Sequence, residues 1–284
     1  MKVSNVGIVG AGLMGSGIAQ VAAVAGYNVI LYDANARVMD DALFYIGQRL
    51  AGSARKGFIS QDDSEDVLKR IRACDDIHAL AKSDLVIEAV PERMELKKQV
   101  FAELSAICPE GVVFASNTSG LSITEIASAT NRPELVAGMH FFHPAAMMQL
   151  VELVPGNQTS EETMDIIRAV CQRMGKEIIE VKESPLFVVN RILVPMLNEA
   201  IFVLQEGLAT AADIDKGMRL GANHPLGPLA LADMVGLDTL LATAETLFAE
   251  TGDTKYRPPQ LLRQMVRAGK LGRKTCIGFY IYSD

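Results

Sequence analysis

The chain has 284 residues, 49% of them hydrophobic, which is enough to bury a sizeable core in one or two domains. Its net charge of −7 argues against a general nucleic-acid binder, because neutralising phosphates requires clustered lysine and arginine. No apolar run approaches the length of a membrane span, and the four cysteines form no CxxC pair, so the composition predicts a cytoplasmic protein with reduced thiols.

Short apolar runs alternate with helical stretches from residue 1 to residue 183, and the opening MKVSNVGIVG is predicted to be a first strand rather than a leader. The predicted helices include Leu13–Ala25, Arg93–Ile107 and Glu161–Met174. Several predicted strands are apolar throughout, and their alternation with helices predicts a doubly wound, mostly parallel sheet. The strands are Val3–Val9, Tyr27–Tyr32, Leu85–Val90, Val112–Ala115, Leu135–Phe141, Gln149–Val154 and Lys176–Val181.

The pattern changes after Glu183. Ser184-Pro185 is typical of a helix start, with an N-cap residue followed by proline at the first helical position. A helix is predicted to continue through Phe187 to Gln205, and strand signals become rare. Further helices are predicted at Thr210–Leu220, Gly236–Glu250 and Pro259–Ala268. The sequence therefore predicts two domains, an α/β domain over 1–183 and an all-helical domain over 184–284.

A glycine pattern follows the first strand and opens the first helix. Gly10, Gly12 and Gly15, with Leu13 and Met14 between them, match the GxGxxG turn of Rossmann-type domains, in which backbone N–H groups meet a pyrophosphate. Asp33 ends the next strand, where a carboxylate accepts from ribose hydroxyls and repels a 2′-phosphate. These residues predict NAD rather than NADP, although Arg37 could soften that preference. The alternative is a glycine-rich turn without a nucleotide.

The stretch MHFFHPAAMMQLVE, from Met139 to Glu152, places His140 and His143 three residues apart. It has three interpretations: a metal site, a general base with an unrelated histidine beside it, or two structural residues. Zinc needs three or four ligands in a small volume. The chain has only four histidines, and no cysteine lies near the pair, so a metal site is disfavoured and none is predicted.

Three longer motifs carry a resemblance to a known family: ASNTSGLSIT (115–124), GMHFFHP (138–144) and FVVNRILVPMLNEA (187–200). With them, the chain resembles the 3-hydroxyacyl-CoA dehydrogenases over essentially its whole length, most closely the short bacterial 3-hydroxybutyryl-CoA dehydrogenases. The resemblance implies NAD-dependent interconversion of a short (S)-3-hydroxyacyl-CoA and its 3-ketoacyl-CoA, as in fatty acid and butyrate metabolism. It also implies that the helical domain contributes to the substrate cleft and to a homodimer or larger homo-oligomer.

The resemblance also implies roles for individual residues. His140 matches the catalytic base and Glu152 its carboxylate partner, and imidazole suits proton transfer near neutrality. Ser119 and Asn190 match polar groups that contact substrate. The positions around the nucleotide are matched by Asn117, Glu92, Lys97 and Lys274, together with Ser119. Without the resemblance, Glu92 and Lys97 would be interpreted as a solvated pair at a helix start.

The stretch RLAGSARKG (49–57) contains three basic residues and no acid. A positive patch on an acidic protein suits the phosphates of coenzyme A. Lys56 matches a lysine that contacts coenzyme A in the family, and Arg49 falls at a second contact position. The alternative, a basic and solvated helix face, is equally compatible with the sequence.

Three residues depart from the family motifs. His143 replaces an asparagine, and a larger, titratable ring there is expected to alter nucleotide or substrate contacts. Leu186 and Cys276 each replace a glycine. Leu186 is expected to share a helix face with Asn190 and to narrow the acyl pocket or displace Asn190. Cys276 is expected to alter the loop if the backbone there needs a positive φ.

Two other functions remain compatible with the sequence. The same fold and base could act on another 3-hydroxy acid or on a dicarboxylic acyl-CoA, although the basic patch favours coenzyme A. Alternatively, the departures from the motifs permit a nucleotide-binding relative with weak turnover.

Overall fold

The computed structural model describes residues 2–57 and 60–283. The chain divides into two compact units between Ser184 and Pro185. All predicted site residues lie within the described ranges. In those ranges, no helix combines the length and apolar character needed to cross a lipid bilayer.

The first unit contains eight strands and six α-helices among its described residues. The strands are β1 (Asn5–Val9), β2 (Asn28–Tyr32), β3 (Ile71–Cys74), β4 (Leu85–Glu88), β5 (Val113–Ser116), β6 (Val136–Phe141), β7 (Leu150–Pro155) and β8 (Glu177–Glu180). The helices are α1 (Leu13–Val24), α2 (Ala36–Arg55), α3 (Gln61–Lys69), α4 (Met94–Ile107), α5 (Ile123–Ala127) and α6 (Glu161–Arg173).

The strands form one sheet in the order β3-β2-β1-β4-β5-β6-β7-β8. All neighbouring strands are parallel except β6 and β7, which pair antiparallel. The central strands are fully buried because helices cover both faces, which explains their continuous apolar composition. The strand order reverses between β1 and β4, and such a switch point at the carboxyl edge of a sheet is where nucleotides bind. The predicted doubly wound, mostly parallel sheet is confirmed.

The second unit is built from five helices among its described residues, and the prediction of a helical C-terminal region is confirmed. They are α7 (Val189–Gln205), α8 (Ala211–Gly221), α9 (Pro228–Val235), α10 (Leu237–Thr251) and α11 (Gln260–Arg267). Their apolar faces enclose a separate core, with residues such as Leu197, Leu229 and Leu240 almost completely buried.

The structure corrects the predicted elements in several places. Strand β3 and helices α2, α3, α5 and α9 were not predicted. The predicted helix start at Ser184-Pro185 is wrong, because α7 begins at Val189. Leu186 therefore lies outside the helix, and the expectation that it shares a helix face with Asn190 is wrong.

Two of the departures from the family motifs occupy left-handed backbone. Leu186 has φ 60° and Cys276 has φ 58°, a conformation that glycine adopts without steric cost. Position 276 thus has the positive φ on which the expected change of the loop depends. The surroundings of the two side chains differ: Leu186 is buried with Leu247 and Tyr256, whereas Cys276 is exposed.

Glycine substitutions at these two positions are expected to have opposite effects on stability. Cys276→Gly should raise the melting temperature by about 2–4 °C, because relief of roughly 1 kcal/mol of left-handed strain outweighs the entropy of the glycine. Leu186→Gly should instead destabilise the protein by about 2–4 kcal/mol, because the lost burial exceeds the relieved strain. The measurement is thermal unfolding, with Cys276→Ala as the control, since it removes the thiol and keeps the strain. Equal shifts for Cys276→Ala and Cys276→Gly would contradict the explanation.

Candidate active site

The glycine turn between β1 and α1 is shaped by close backbone approach. Gly10 has φ 96°, and its N–H donates to the Tyr32 carbonyl at 2.8 Å. A Cβ on Gly15 would lie 1.7 Å from the Gly10 carbonyl oxygen, so the packing of α1 against this turn requires glycine. A Cβ on Gly12 would meet no atom within 4 Å, so the backbone there faces open space.

This open turn fits the pyrophosphate of a dinucleotide. Gly12 is the N-cap of α1 and supplies no side-chain cap, and the first turn carries no acid. The first N–H groups of the helix therefore remain available to an anion, and the helix dipole favours negative charge there. Leu13, in that first turn, is 60% exposed.

Asp33 has a structural contact that the sequence motif does not show. Its Oδ2 accepts from the Ala11 N–H at 2.8 Å, and its Oδ1 accepts from the Asn35 N–H at 2.9 Å. The carboxylate thus holds the glycine turn to the end of β2. It also places a negative charge beside the turn, where a ribose hydroxyl is tolerated better than a phosphate.

His140 and Glu152 face each other across the antiparallel pair β6–β7. His140 Nδ1 lies 2.7 Å from Glu152 Oε2, and the two residues are 5% and 0% exposed. An ionised carboxylate only accepts, so Nδ1 carries the proton in this hydrogen bond. The buried acid fixes the tautomer of the histidine, an arrangement that is suited to proton transfer. The Phe142 ring, with its centroid 4.4 Å from that of His140, packs beside the imidazole.

Asn117 fixes the position of β6 relative to β5. Its Oδ1 accepts from the Phe141 N–H at 2.9 Å, and its own N–H donates to the Glu88 carbonyl at 2.8 Å. The residue predicted to contact nucleotide thus also joins the ends of three neighbouring strands.

Ser119 is held by Glu92. Glu92 Oε1 accepts from the Ser119 N–H at 2.8 Å, from the Ser119 hydroxyl at 3.1 Å and from the Thr118 hydroxyl at 2.6 Å. Lys97 is only 1% exposed and donates to Glu88 at 2.7 Å. The interpretation of Lys97 as a solvated helix residue is therefore wrong.

Asn190 and Lys274 lie in the second unit. Asn190 is in the first turn of α7 and half-buried. Lys274 Nζ donates to Asp238 Oδ2 at 2.6 Å. Partial burial raises the pKa of Asp238, but the hydrogen bond and charge of Lys274, together with backbone N–H groups such as that of Thr239, outweigh it and leave that pKa below its usual value.

A cavity of about 910 Å³ lies in the first unit, between α1, α2 and the β6–β7 loop. Its lining includes the cations Arg49, Lys56 and Lys176 and the imidazole of His143, and none of the described residues that line it is acidic. The structure thus brings Arg49 and Lys56 together with His143, whereas their neighbour Arg55 is not part of the lining. The cavity suits a ligand with several negative charges.

Lys176 was not predicted as a site residue. Its ammonium donates to the carbonyls of Ala145 and Met148 at 2.6 and 2.8 Å, and these two hydrogen bonds stabilise the conformation of the β6–β7 loop. Burial lowers the pKa of Lys176. No local sequence signal distinguishes this lysine, because its partners lie about thirty residues earlier in the chain.

Glu88 was also missed, although the sequence holds a signal for it. It is a charged residue inside the apolar run DLVIEAV, and a charge in such a run is rarely buried unless it is paired. Within residues 2–57 and 60–283, no group of three or more His, Cys, Asp or Glu side chains is placed to hold a metal ion.

Comparisons with known proteins cover the whole chain. Residues 5–184 match the NAD binding domain of 3-hydroxyacyl-CoA dehydrogenase, and residues 187–282 match its C-terminal domain. The 3-hydroxybutyryl-CoA dehydrogenase of Clostridioides difficile is 46% identical over 276 residues, which span 97% of this chain and 98% of the relative. The corresponding enzyme of Bradyrhizobium diazoefficiens is 44% identical over 280 residues, or 99% and 96% of the two chains.

Among solved structures, the (S)-3-hydroxybutyryl-CoA dehydrogenase of Ralstonia eutropha superimposes with a TM-score of 0.97. The two chains are 48% identical, and the match covers 100% of each of them. The resemblance inferred from the sequence is confirmed, and with it NAD as the cofactor and oxidoreduction as the reaction class. The chain belongs to the 3-hydroxyacyl-CoA dehydrogenase family.

Proposed function

We propose that this enzyme interconverts short-chain (S)-3-hydroxyacyl-CoA and 3-ketoacyl-CoA, with 3-hydroxybutyryl-CoA and acetoacetyl-CoA as the preferred pair. The observation that carries this proposal is the buried His140–Glu152 pair, at 2.7 Å, on the carboxyl edge of the sheet that also carries the glycine turn. Oxidation of a secondary alcohol needs a base that takes the hydroxyl proton while hydride leaves the carbon that bears this hydroxyl.

In the proposed mechanism, His140 Nε2 takes the hydroxyl proton of the substrate. Glu152 stabilises the resulting imidazolium through Nδ1–H, because its buried carboxylate faces a ring that has gained a positive charge. NAD, when bound, supplies the acceptor for the hydride that leaves C3. In the reducing direction, His140 returns the proton to the 3-oxygen.

Ser119 and Asn190 are the proposed substrate contacts. A hydroxyl and an amide can donate to the 3-oxygen or to the thioester carbonyl and so restrict the orientation of C3. The proposed nucleotide contacts are Gly10, Gly12, Leu13, Met14, Gly15, Asp33, Glu92, Lys97, Asn117, Ser119 and Lys274.

The basic cavity is the proposed site for the phosphates of coenzyme A. Arg49 and Lys56 are its exposed cations, and His143 adds an imidazole ring whose nitrogens can hydrogen-bond to a phosphate. We propose that this histidine, in place of asparagine, adjusts the affinity for the substrate while the reaction itself stays unchanged.

The test of this assignment uses charge reversal. Arg49→Glu and Lys56→Glu are each expected to raise KM for acetoacetyl-CoA by roughly fivefold or more, which corresponds to about 1 kcal/mol per exposed pair, while kcat changes little. Arg55→Glu is the matched control, because it makes the same charge change outside the cavity. An equal rise in KM for Arg55→Glu and Lys56→Glu would contradict the assignment, because it would mean that the total charge of the protein determines KM and the position of the cation in the cavity does not.

The proposed reaction is tested by following NADH oxidation with acetoacetyl-CoA, with NADPH in parallel. We expect turnover with NADH and a preference over NADPH on the order of tenfold or more, about 1.4 kcal/mol, because Asp33 repels the 2′-phosphate. NADH binding without turnover on acetoacetyl-CoA, longer acyl-CoAs or dicarboxylic acyl-CoAs would overturn the proposal.

We also propose that the enzyme is cytoplasmic and that its C-terminal helices form a homodimer or a larger homo-oligomer. The second unit exposes several large apolar side chains, including Leu208, Leu220 and Ile281, that water solvates poorly. Light scattering after size-exclusion chromatography gives the mass directly, and a monomer at micromolar concentration would contradict the assembly.

A further inference from the structure

A buried ion pair lies where β4 and α4 face each other. Glu88 is 0% exposed and Lys97 is 1% exposed, and Lys97 Nζ lies 2.7 Å from Glu88 Oε1. Removing two charges from water is costly, so such a pair adds little net stability compared with apolar side chains of similar volume. A role other than stability is therefore the better explanation for keeping it.

Glu88 is completely hydrogen-bonded. Its Oε1 accepts from Lys97 and from the Val90 N–H, each at 2.7 Å, and its Oε2 accepts from the Ser116 hydroxyl at 2.6 Å. These contacts fix the ammonium between the segments that follow β4 and β5. Lys97 has a further contact with the Val90 carbonyl at 3.3 Å.

The ammonium also faces Glu92, on the side away from the core. Lys97 Nζ lies 3.3 Å from Glu92 Oε2, while Glu92 Oε1 accepts the three hydrogen bonds from Thr118 and Ser119. The Glu92 side chain is 41% exposed. A carboxylate this exposed has a competing position in water, and the ammonium attracts it to the position in which it holds Ser119.

We propose that Glu88 and Lys97 are positioning residues, which hold Glu92 in place and through it orient the hydroxyl of Ser119. This inference rests on the proposed function, in which Ser119 contacts substrate. It gives Lys97 a second role beside the proposed nucleotide contact: its ammonium, which is directed to Glu88, Val90 and Glu92, acts on Ser119 through Glu92.

A cycle of variants distinguishes positioning from a merely structural role. The first variant, Glu88→Gln/Lys97→Met, removes both charges of the buried pair and retains similar volume. The second is Ser119→Ala, and the third combines all three substitutions. Lys98→Met is the matched control, because Lys98 is the next residue of α4 and its ammonium pairs with Glu125 at 3.3 Å instead.

We expect the neutralised pair to lower kcat with acetoacetyl-CoA on the order of 10–100-fold, the usual cost of misplacing a polar contact. In the Ser119→Ala background, the same two substitutions should lower kcat by less than about twofold, because the effects of groups that act through one contact are not additive. Equal losses in both backgrounds would overturn the proposal, and so would a neutralised pair with wild-type kcat.

A second measurement does not depend on turnover. The Ser119 N–H donates to Glu92, so its hydrogen exchange should accelerate on the order of fivefold in the neutralised pair, as expected for the loss of one hydrogen bond. Lys98→Met should leave it unchanged. Unchanged exchange in the neutralised pair would overturn the positioning role even in an active enzyme. Absence of wild-type turnover with accelerated exchange would instead count against the proposed function alone.

Discussion

Replacement of His140 by alanine is expected to lower kcat with acetoacetyl-CoA by about 10²–10⁴-fold, the usual contribution of a well-placed acid–base group. In the reducing direction, the 3-oxygen must gain a proton as hydride arrives at C3, and the variant leaves water as the only donor. NADH affinity should change little, because the imidazole is directed to Glu152 and is not part of the glycine turn. A loss of less than tenfold would refute the assignment of His140 as the base.

Glu152→Gln tests the partner of the base. An amide can still contact Nδ1, but it carries no charge to stabilise the imidazolium, so kcat should fall on the order of 100-fold. The matched control is His143→Asn, which removes the nearby histidine of the same loop. It should retain kcat within a few fold, because His143 lines the basic cavity rather than the base pair.

The second large effect is expected at the glycine turn, where two alanine substitutions should separate binding from folding. Gly12 has φ −63° and ψ −165°, which alanine adopts freely, and its Cβ would project into open space. Gly12→Ala should therefore fold normally and weaken NADH binding on the order of tenfold or more, about 1.4 kcal/mol, because the methyl group occupies the place of the pyrophosphate.

Gly15→Ala should instead destabilise the fold itself by about 4 kcal/mol or more, since a Cβ 1.7 Å from the Gly10 carbonyl oxygen forces the backbone apart. Thermal unfolding and NADH fluorescence titration measure the two effects. Gly111→Ala is the control, because its Cβ also meets no atom within 4 Å and it lies in the turn before β5. Tight NADH binding by Gly12→Ala would show that the pyrophosphate does not lie against this residue.

The sequence predicted seven of the eight strands of the first unit because buried parallel strands are apolar throughout. It missed β3, whose four residues Ile71–Cys74 include Arg72 and pair with β2 alone. An edge strand is half-solvated and lacks the apolar run that identifies a central one. The helix start at Ser184-Pro185 was wrong for another reason: positive φ values at Leu186 and Phe187 interrupt a signal that is locally favourable.

The sequence supplied the candidate site residues but not the contacts between them. Local periodicity does not show that β7 runs antiparallel to β6, yet this direction sets Glu152 opposite His140. The burial of Lys97 follows from tertiary packing of α4 on the sheet. The basic stretch 49–57 left two interpretations open, and the structure directs Arg49 and Lys56, but not Arg55, towards one cavity.

The β6–β7 hairpin has a consequence for how this enzyme can diversify. The proposed base at 140, the cavity wall at 143–147 and the proposed acid partner at 152 belong to one continuous segment whose two strands fix their mutual register. Substitutions in the connecting loop can reshape the anion-binding wall without altering the strand pairing that aligns base and acid. An insertion within either strand would turn one of the two side chains to the opposite face of the sheet. A point substitution in the loop, at His143 for example, can therefore alter the cavity wall, whereas the facing of residues 140 and 152 is lost only when the register of the strands shifts.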